Sequence, residues 1–422
     1  MERFFLIIIL FGLSACQIPN LIKADRYVEP VPIEITKQSN NYEDIWERIR
    51  AGSSSKGALP DIETQKYIDF YLSNLPQLNK LLEKSRYFIF FVLDELDRYN
   101  LPAELALLPY IESNYDPFSI SASGAMGIWQ FMPATARIYG LKDTWWNEQR
   151  HDPLISSKAA VQYLAYLHNR FGKELTYTLA AYNGGPTLLE KQIKLNQKLG
   201  KSLVYKDLKL PSQTKEYVRK FQAIKEIVIN AKKYGIKLPD FPNEKVLGKV
   251  ELDGQVEIFA FSEFAQLKPE FIYKLNAGYT KWASPPGKKT SFNVPIELVK
   301  SINLKKDQFI QSNQINWVTH QVSKGDSLWK IAEKFDIEVD VLKKVNYLTS
   351  SVLSLHQELL IPLSNNQNET FIPYQAHIIS EGDTLWNLGL QYKISPAEIA
   401  ANNGLKISAP LRIGKELNIG NK

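Results

Sequence analysis

The sequence predicts a multidomain chain in which a mainly α domain is followed by a small α+β connector and two βααβ modules. Three observations carry that prediction. Apolar residues recur at three- and four-residue steps between Tyr42 and Tyr234, and no alternating strand pattern interrupts them. Residues 246–300 mix a short alternating run, Val250, Leu252, Val256 and Ile258, with the proline-ended segment Ser291-Phe292-Asn293-Val294-Pro295. Beyond them a stretch repeats at a constant spacing of 57 residues, from His320 to His377 and from Asn346 to Asn403.

Composition sets broad limits. A chain of 422 residues with 44 % hydrophobic content is ordinary globular material with room for roughly two to four domains. The net charge of +6 is dispersed, which suits an anionic polymer or a membrane surface. It lacks the concentrated Lys/Arg stripe of a nucleic-acid binder.

The N-terminus has its own logic. Met1-Glu2-Arg3 precedes an apolar run from Phe4 to Leu13 and then Ser14-Ala15-Cys16, too short to span a bilayer and built like a secretory signal. The Leu13-Ser14-Ala15-Cys16 string resembles a bacterial lipobox. Residues 1–15 are therefore expected to be a lipoprotein signal peptide and Cys16, the only cysteine, the site of lipid attachment at the mature N-terminus. Gln17 in the next place, instead of Asp, points to outer-membrane sorting. Residues 16–41, with Pro19, Pro30 and Pro32, read as a tether.

A helical extension is expected over 42–96, with Ile68, Leu72, Leu75, Phe88, Val92 and Leu96 in helical register. The principal domain is expected over 97–235. Pro102 suits the first turn of its first helix. Pro109 falls where a proline would bend that helix, and the expected kink would aim Glu112 into a cleft. Further helices are expected at Ala160 to Phe171, Thr176 to Tyr182 and Glu216 to Tyr234.

Glu112 is the candidate acid. It ends the uncharged run Leu105 to Ile111, where desolvation raises a carboxyl pKa and makes a proton donor near neutrality. After it come Ser121-Ala122-Ser123-Gly124-Ala125, then Gly127-Ile128-Trp129-Gln130-Phe131-Met132-Pro133, and later Ala180-Ala181-Tyr182-Asn183-Gly184-Gly185. Over roughly 97–230 this set resembles the catalytic core of the soluble lytic transglycosylase family. Trp129-Gln130-Phe131-Met132-Pro133-Ala134-Thr135, His151-Asp152-Pro153 and Lys215-Glu216-Tyr217-Val218 bring it nearest the membrane-bound lytic murein transglycosylase D branch.

The resemblance implies a lysozyme-like fold and an enzyme that cleaves peptidoglycan without a cofactor or metal. Carried over position by position, Glu112 is the acid/base and Ser121 the serine that hydrogen-bonds its carboxyl. Gln130, Met132, Tyr182, Asn183 and Tyr217 fall in the saccharide groove. Amide side chains suit sugar hydroxyls and N-acetyl groups, and aromatic and Met side chains suit ring faces. Trp129 and Phe131 read as core, and Asn183-Gly184 also reads as a helix end and turn. Gln213 and Lys215 depart from the family's usual Glu and Arg, so an ion pair there is not carried over.

The implied reaction breaks the bond between N-acetylmuramic acid and N-acetylglucosamine and leaves a 1,6-anhydromuramoyl end. Asp116 is the nearest second carboxylate, but it precedes Pro117 and reads as a turn residue. A hydrolytic muramidase and a lipid-anchored murein-binding scaffold without catalysis stay open as alternatives.

Residues 246–300 resemble the divergent connector of this branch, and the resemblance leaves a degenerate sugar-binding repeat open as its reading. The repeats, expected over 317–363 and 374–420, share Gly325-Asp326-Ser327-Leu328-Trp329 and Gly382-Asp383-Thr384-Leu385-Trp386. Each resembles the LysM family of glycan-binding modules. Trp329 and Trp386 are expected in the module cores, and Lys305 to Asn316 and Ser364 to Thr370 are expected to be linkers. The expected partners are peptidoglycan strands and, through the lipid, a membrane.

Overall fold

The computed structural model describes residues 42–54, 60–144, 146–285, 289–313, 317–335, 337–346, 348, 350–362, 375–392, 394–407 and 409–419. The expected signal peptide, the tether with Cys16 and the segment Ser364 to Thr370 lie outside the described residues.

The chain opens with α1 (Ile45–Ala51), α2 (Ile62–Leu72), α3 (Leu75–Glu83) and α4 (Ile89–Arg98). Asp44, Asp61 and Asn74 start the first three, their side-chain oxygens accepting from backbone N–H groups at 2.6, 2.7 and 3.1 Å. Ile89, Val92, Leu93 and Leu96 form one fully buried face of α4. A 3-10 turn (Ala103–Leu107) then leads into α5 (Leu108–Ser113), at the centre of the domain. Around it lie α6 (Pro133–Ile138), α7 (Pro153–Arg170), α8 (Leu175–Gly184), α9 (Pro186–Lys198) and α10 (Ser212–Ile229). Helix α4 packs on α7, and α10 packs on α2 and α8. Each large apolar side chain buried here contributes about 1.5–3 kcal/mol.

The helical extension shares one core with the domain it precedes. Ile45 N donates to Phe241 O at 3.0 Å, and the Trp46 ring stacks on Phe241 at 5.3 Å. The two ends of the helical unit therefore meet.

Two local expectations are corrected, and one helix is added. Pro109 does not kink a helix: the 3-10 turn ends at Leu107, and Pro109 occupies the first turn of the new helix α5, where its missing N–H is not needed. Helix α9 was not anticipated because it buries little beyond Leu189 and Asn196, although Gly185-Pro186 marks its start. Most of the expected linker Lys305 to Asn316 belongs to α13 (Val299–Ser312), a polar helix that buries only Ile302 and Phe309, with Phe309 stacked on Phe264 at 4.5 Å.

Before α13, β1 (Leu247–Asp253) and β2 (Lys289–Pro295) pair antiparallel and enclose α11 (Ile258–Phe264) and α12 (Pro269–Leu275). After it, β3 (Trp317–Gln321), α14 (Leu328–Lys334), α15 (Val339–Val345) and β4 (Glu358–Pro362) form the first βααβ module. The second comprises β5 (Gln375–Ile378), α16 (Leu385–Tyr392), α17 (Pro396–Asn402) and β6 (Glu416–Ile419).

Two polar latches recur in both modules. His320 Nε2 pairs with Asp326 Oδ2 at 2.8 Å and His377 Nε2 with Asp383 Oδ2 at 2.7 Å, fixing the Gly-Asp turn to the first strand. At the end of the second helix Asn346 exchanges two hydrogen bonds with Leu360, at 2.9 and 2.7 Å, and Asn403 does the same with Asn418, at 2.9 and 2.8 Å. These bonds close helix onto strand. The tryptophans differ: Trp329 is 63 % exposed and is not module core, whereas Trp386 is partly buried against its own module's core and also packs on rings outside the module. Leu328, Ile331 and their counterparts fill the core instead.

The Asn403 latch should be worth about 1–3 kcal/mol, since removing it strands strand and helix groups without partners. Asn403→Ala is expected to lower the unfolding free energy of the second module by that amount, read from urea unfolding followed by hydrogen exchange.

Candidate active site

Helix α5 ends abruptly. Asn114 and Tyr115 both take left-handed backbone angles with φ of 56°, a conformation that costs non-glycine residues energy and turns the chain away directly after Glu112-Ser113. Packing holds it there. Tyr115 OH donates to Ala106 O at 2.7 Å, and its ring meets Tyr110 edge-on at 4.7 Å. Ser113 Oγ donates to Ile128 O at 2.9 Å, which ties the helix end to the loop opposite.

That loop, 119–131, is a tight double turn bridged at Ile120 to Met126 and Met126 to Phe131. Gly127 is required: its φ is +76°, and a Cβ there would lie 1.8 Å from Arg150 O. Arg150 is fixed by a buried two-point ion pair with Glu148, Nε to Oε1 at 2.9 Å and Nη2 to Oε2 at 2.6 Å. Trp129 and Phe131 are core, as expected from the sequence, and Trp129 Nε1 donates to Ser157 Oγ at 2.8 Å.

The tyrosines come from α8 and α10, which approach closely because Gly184 faces Thr214: a Cβ there would sit 3.1 Å from Thr214 Oγ1. Tyr217 OH donates to Glu112 Oε1. Tyr182 OH donates to Trp129 O at 2.8 Å. Burial pushes both phenols well above their ordinary range, so they remain donors.

Glu112 is half-buried. Burial pushes its carboxyl up to about 7, against the Tyr217 bond, which favours the ionised form. No second carboxylate figures among these influences. Asp116 Oδ1 accepts from Phe118 N at 3.0 Å and shapes the turn. Glu104, fully buried, accepts from Ser54 N and Ser54 Oγ and lies 3.5 Å from Lys225 Nζ.

The expected Ser121 bond to Glu112 is absent. Ser121 Oγ accepts from Ala125 N at 2.9 Å and pairs with Ser123 Oγ at 3.0 Å, serving its own turn. The donor on the carboxyl is Tyr217 instead. Gln130 Nε2 donates to Gly127 O at 2.8 Å and Ser119 O at 3.1 Å, so its amide braces the loop. Met132 is 43 % exposed beside it, and Asn183 is half-buried one residue beyond Tyr182.

A helical domain with one proton-holding carboxylic acid under a braced loop, followed by glycan-binding modules, is the design of a lytic transglycosylase. Residues 93–205 match the family described as Transglycosylase SLT domain, and residues 320–362 and 377–420 match LysM domain. Membrane-bound lytic murein transglycosylase D of Escherichia coli (strain K12) is 30 % identical over 374 residues, covering 84 % of this chain and 81 % of that protein. The chain belongs to the membrane-bound lytic murein transglycosylase D family. The repeats are also similar to N-acetylmuramoyl-L-alanine amidase sle1 of Staphylococcus saprophyticus, 34 % identical over 21 % of this chain and 27 % of that one. Among solved structures, the 70 kDa soluble lytic transglycosylase of Escherichia coli covers 32 % of this chain and 23 % of its own length, at 23 % identity and a TM-score of 0.26.

The raised carboxyl has a cost in stability. Between the ordinary value of 4.5 and about 7 the folded protein holds a proton that the unfolded chain has released, so stability falls as pH rises through this window. Glu112→Gln is expected to remove that loss, making the variant more stable than the parent at pH 8 by about 1–3 kcal/mol, with the lower end set by partial solvent access. Thermal unfolding at pH 4 and pH 8 checks this, and an unchanged difference between the two pH values contradicts it.

Proposed function

We propose that this protein cleaves the β-1,4 bond between N-acetylmuramic acid and N-acetylglucosamine in peptidoglycan by transglycosylation, with Glu112 as its single acid/base. The observation that carries the reading is the Glu112 carboxyl, pushed up to about 7 by burial and bonded by Tyr217.

Protonated Glu112 donates to the glycosidic oxygen as the C1–O bond breaks. The carboxylate left behind then accepts the proton of the muramoyl C6 hydroxyl, whose oxygen attacks C1. One new C–O bond replaces the old one, no water is consumed, and Glu112 regains its proton. A hydrolase uses a second carboxylate for the nucleophile or for water. Here the substrate supplies the nucleophile, which suits a site whose nearest second carboxylate in the sequence, Asp116, is engaged in its own turn. Tyr217 lets the carboxylate form accumulate after donation, and burial returns the proton. Gln130 orders the loop, while Met132, Tyr182 and Asn183 are assigned to the saccharide groove around the acid. Ser121 is assigned to the turn of that loop.

Glu112→Gln is expected to reduce murein cleavage by about 10²–10⁴-fold. In the parent, activity should fall as pH rises through about 7, because the ionised acid cannot donate. Mass spectrometry of digested sacculi should give 1,6-anhydromuramoyl ends; reducing ends would establish hydrolysis, and undiminished cleavage by the Gln variant would remove the assignment of catalysis to Glu112.

The two LysM modules are assigned to glycan strands, where two weak sites on one chain raise the local concentration of a repetitive substrate. Cys16, the single cysteine, is assigned to lipid attachment and the protein to the periplasmic face of the outer membrane. The run ahead of Cys16 and the membrane-bound relative support this. Among the described residues no helix is long and apolar enough to cross a membrane. Cys16→Ser is expected to move the protein from the membrane pellet to the soluble envelope fraction, and equal pelleting of both forms would exclude the lipid anchor.

A further inference from the structure

Residues 247–295 share more with the two LysM modules than the order of their elements. Aligned at a constant spacing of 70 residues to the first module, their cores coincide position by position. Ile258, Leu328 and Leu385 open the first helix, Phe261, Ile331 and Leu388 follow one turn later, and Ile272, Leu342 and Ile399 lie on the second helix. All nine are at most 3 % exposed. The turn between the helices is closed by the same hydrogen bond from a residue to the carbonyl five places earlier, Leu267 to Ser262, Ile337 to Ala332 and Ile394 to Gly389, each at 2.9 to 3.1 Å.

The asparagine latch is the most specific sign. Asn276 follows α12 as Asn346 and Asn403 follow their second helices. Its Nδ2 donates to Ile272 O at 2.9 Å and Asn293 O at 3.0 Å, and Asn293 N donates to Asn276 Oδ1 at 2.7 Å. The other modules make the same three bonds.

What differs is equally ordered. The His–Asp latch of the LysM modules becomes Val250 and Val256, both buried, so the two members of the pair are exchanged together. The position of exposed Trp329 becomes Phe259, 2 % exposed. Residues 278–281, after α12, are engaged by neighbouring units. Glu148 N donates to Gly278 O at 2.8 Å and Thr280 N to Trp146 O at 3.0 Å, an isolated antiparallel bridge to the catalytic domain. The same loop holds the last module: Ser395 Oγ donates to Thr280 O at 3.0 Å, and Lys281 pairs with Glu398. Trp386 of that module packs on Tyr273 at 5.5 Å and on Phe118 at 6.0 Å. Phe118 adjoins Ser119, whose carbonyl accepts from Gln130 Nε2 in the loop facing Glu112.

We infer that residues 247–295 are a third copy of the LysM fold, converted from a glycan-binding module into a protein-docking one. It seats the second LysM module against the catalytic domain so that Trp386 buttresses the 116–119 segment. The second LysM module is thereby a positioning part of the catalytic unit, whereas the first presents its equivalent tryptophan to solvent. The docking stands on the contacts alone; its effect on turnover rests on the function proposed above.

Hydrogen exchange on the full-length protein tests the docking without reference to activity. Trp386→Ala is expected to speed exchange of the Phe118 and Ser119 amides by about tenfold or more, while Trp329→Ala, the same position in the first module, leaves them unchanged. Lys281→Glu should act like Trp386→Ala, and adding Glu398→Lys should restore slow exchange. Parental exchange rates at 116–119 in both Trp386→Ala and Lys281→Glu would overturn the inference. Turnover of a glycan fragment too short to reach any LysM module adds the second readout: kcat should fall several-fold in Trp386→Ala and not in Trp329→Ala, whereas equal kcat would reduce the module to a tether. Absence of cleavage by the parent would count against the proposed function and leave the exchange data to decide the docking.

Discussion

The hydroxyl of Tyr217 donates to the carboxyl of Glu112 across 105 residues of chain, and burial and that bond pull on the acid's proton in opposite directions. Burial alone would hold the proton too firmly for the acid/base role proposed above. A well-solvated carboxylate would not hold it at all near neutrality. Much of the helical domain serves this balance. The strained end of α5 is pinned by Tyr115 and Ser113, the loop opposite is pinned by Gln130 and the Glu148–Arg150 pair, and α8 and α10 are brought close through Gly184. A shift at any of these places changes the distance between one oxygen and one hydroxyl.

The parts of this arrangement that were legible in the sequence are those whose signal is local. An acid at the end of an uncharged run, a double turn rich in glycine and a repeat at fixed spacing can each be read within a few dozen residues. The hydrogen-bond donor on Glu112 could not be read that way. Ser121 lies nearby in the sequence and has the right chemistry, but its hydroxyl is taken by the backbone of its own turn. Pro109 misled for a related reason: a proline's effect depends on whether the helix begins before or after it, and here a 3-10 turn ends just upstream. Helices α9 and α13 bury so few side chains that their periodicity is faint, and only Gly185-Pro186 marks the start of the first.

The tryptophans of the repeats show the same limit from another side. Trp329 and Trp386 occupy identical positions, and sequence alone assigns them one environment. One faces water and the other is held between Tyr273 and Phe118. The difference comes from what lies next to each module, which no repeat pattern records. Small modules of this size have little interior, so the burial of a large ring at this position depends on the surfaces beside the module as well as on its own core.

The separation of 105 residues between donor and acid also bears on when the site can form during synthesis. Synthesis proceeds from the N-terminus, so a growing chain carries Glu112 long before it carries Tyr217 or the Phe241 segment that closes onto α1. Until then the carboxyl has neither its enclosure nor its partner, and in an unfolded chain at neutral pH it is simply ionised. The proton-holding state of this carboxyl is therefore a property of the completed fold, assembled from parts that leave the ribosome far apart in time.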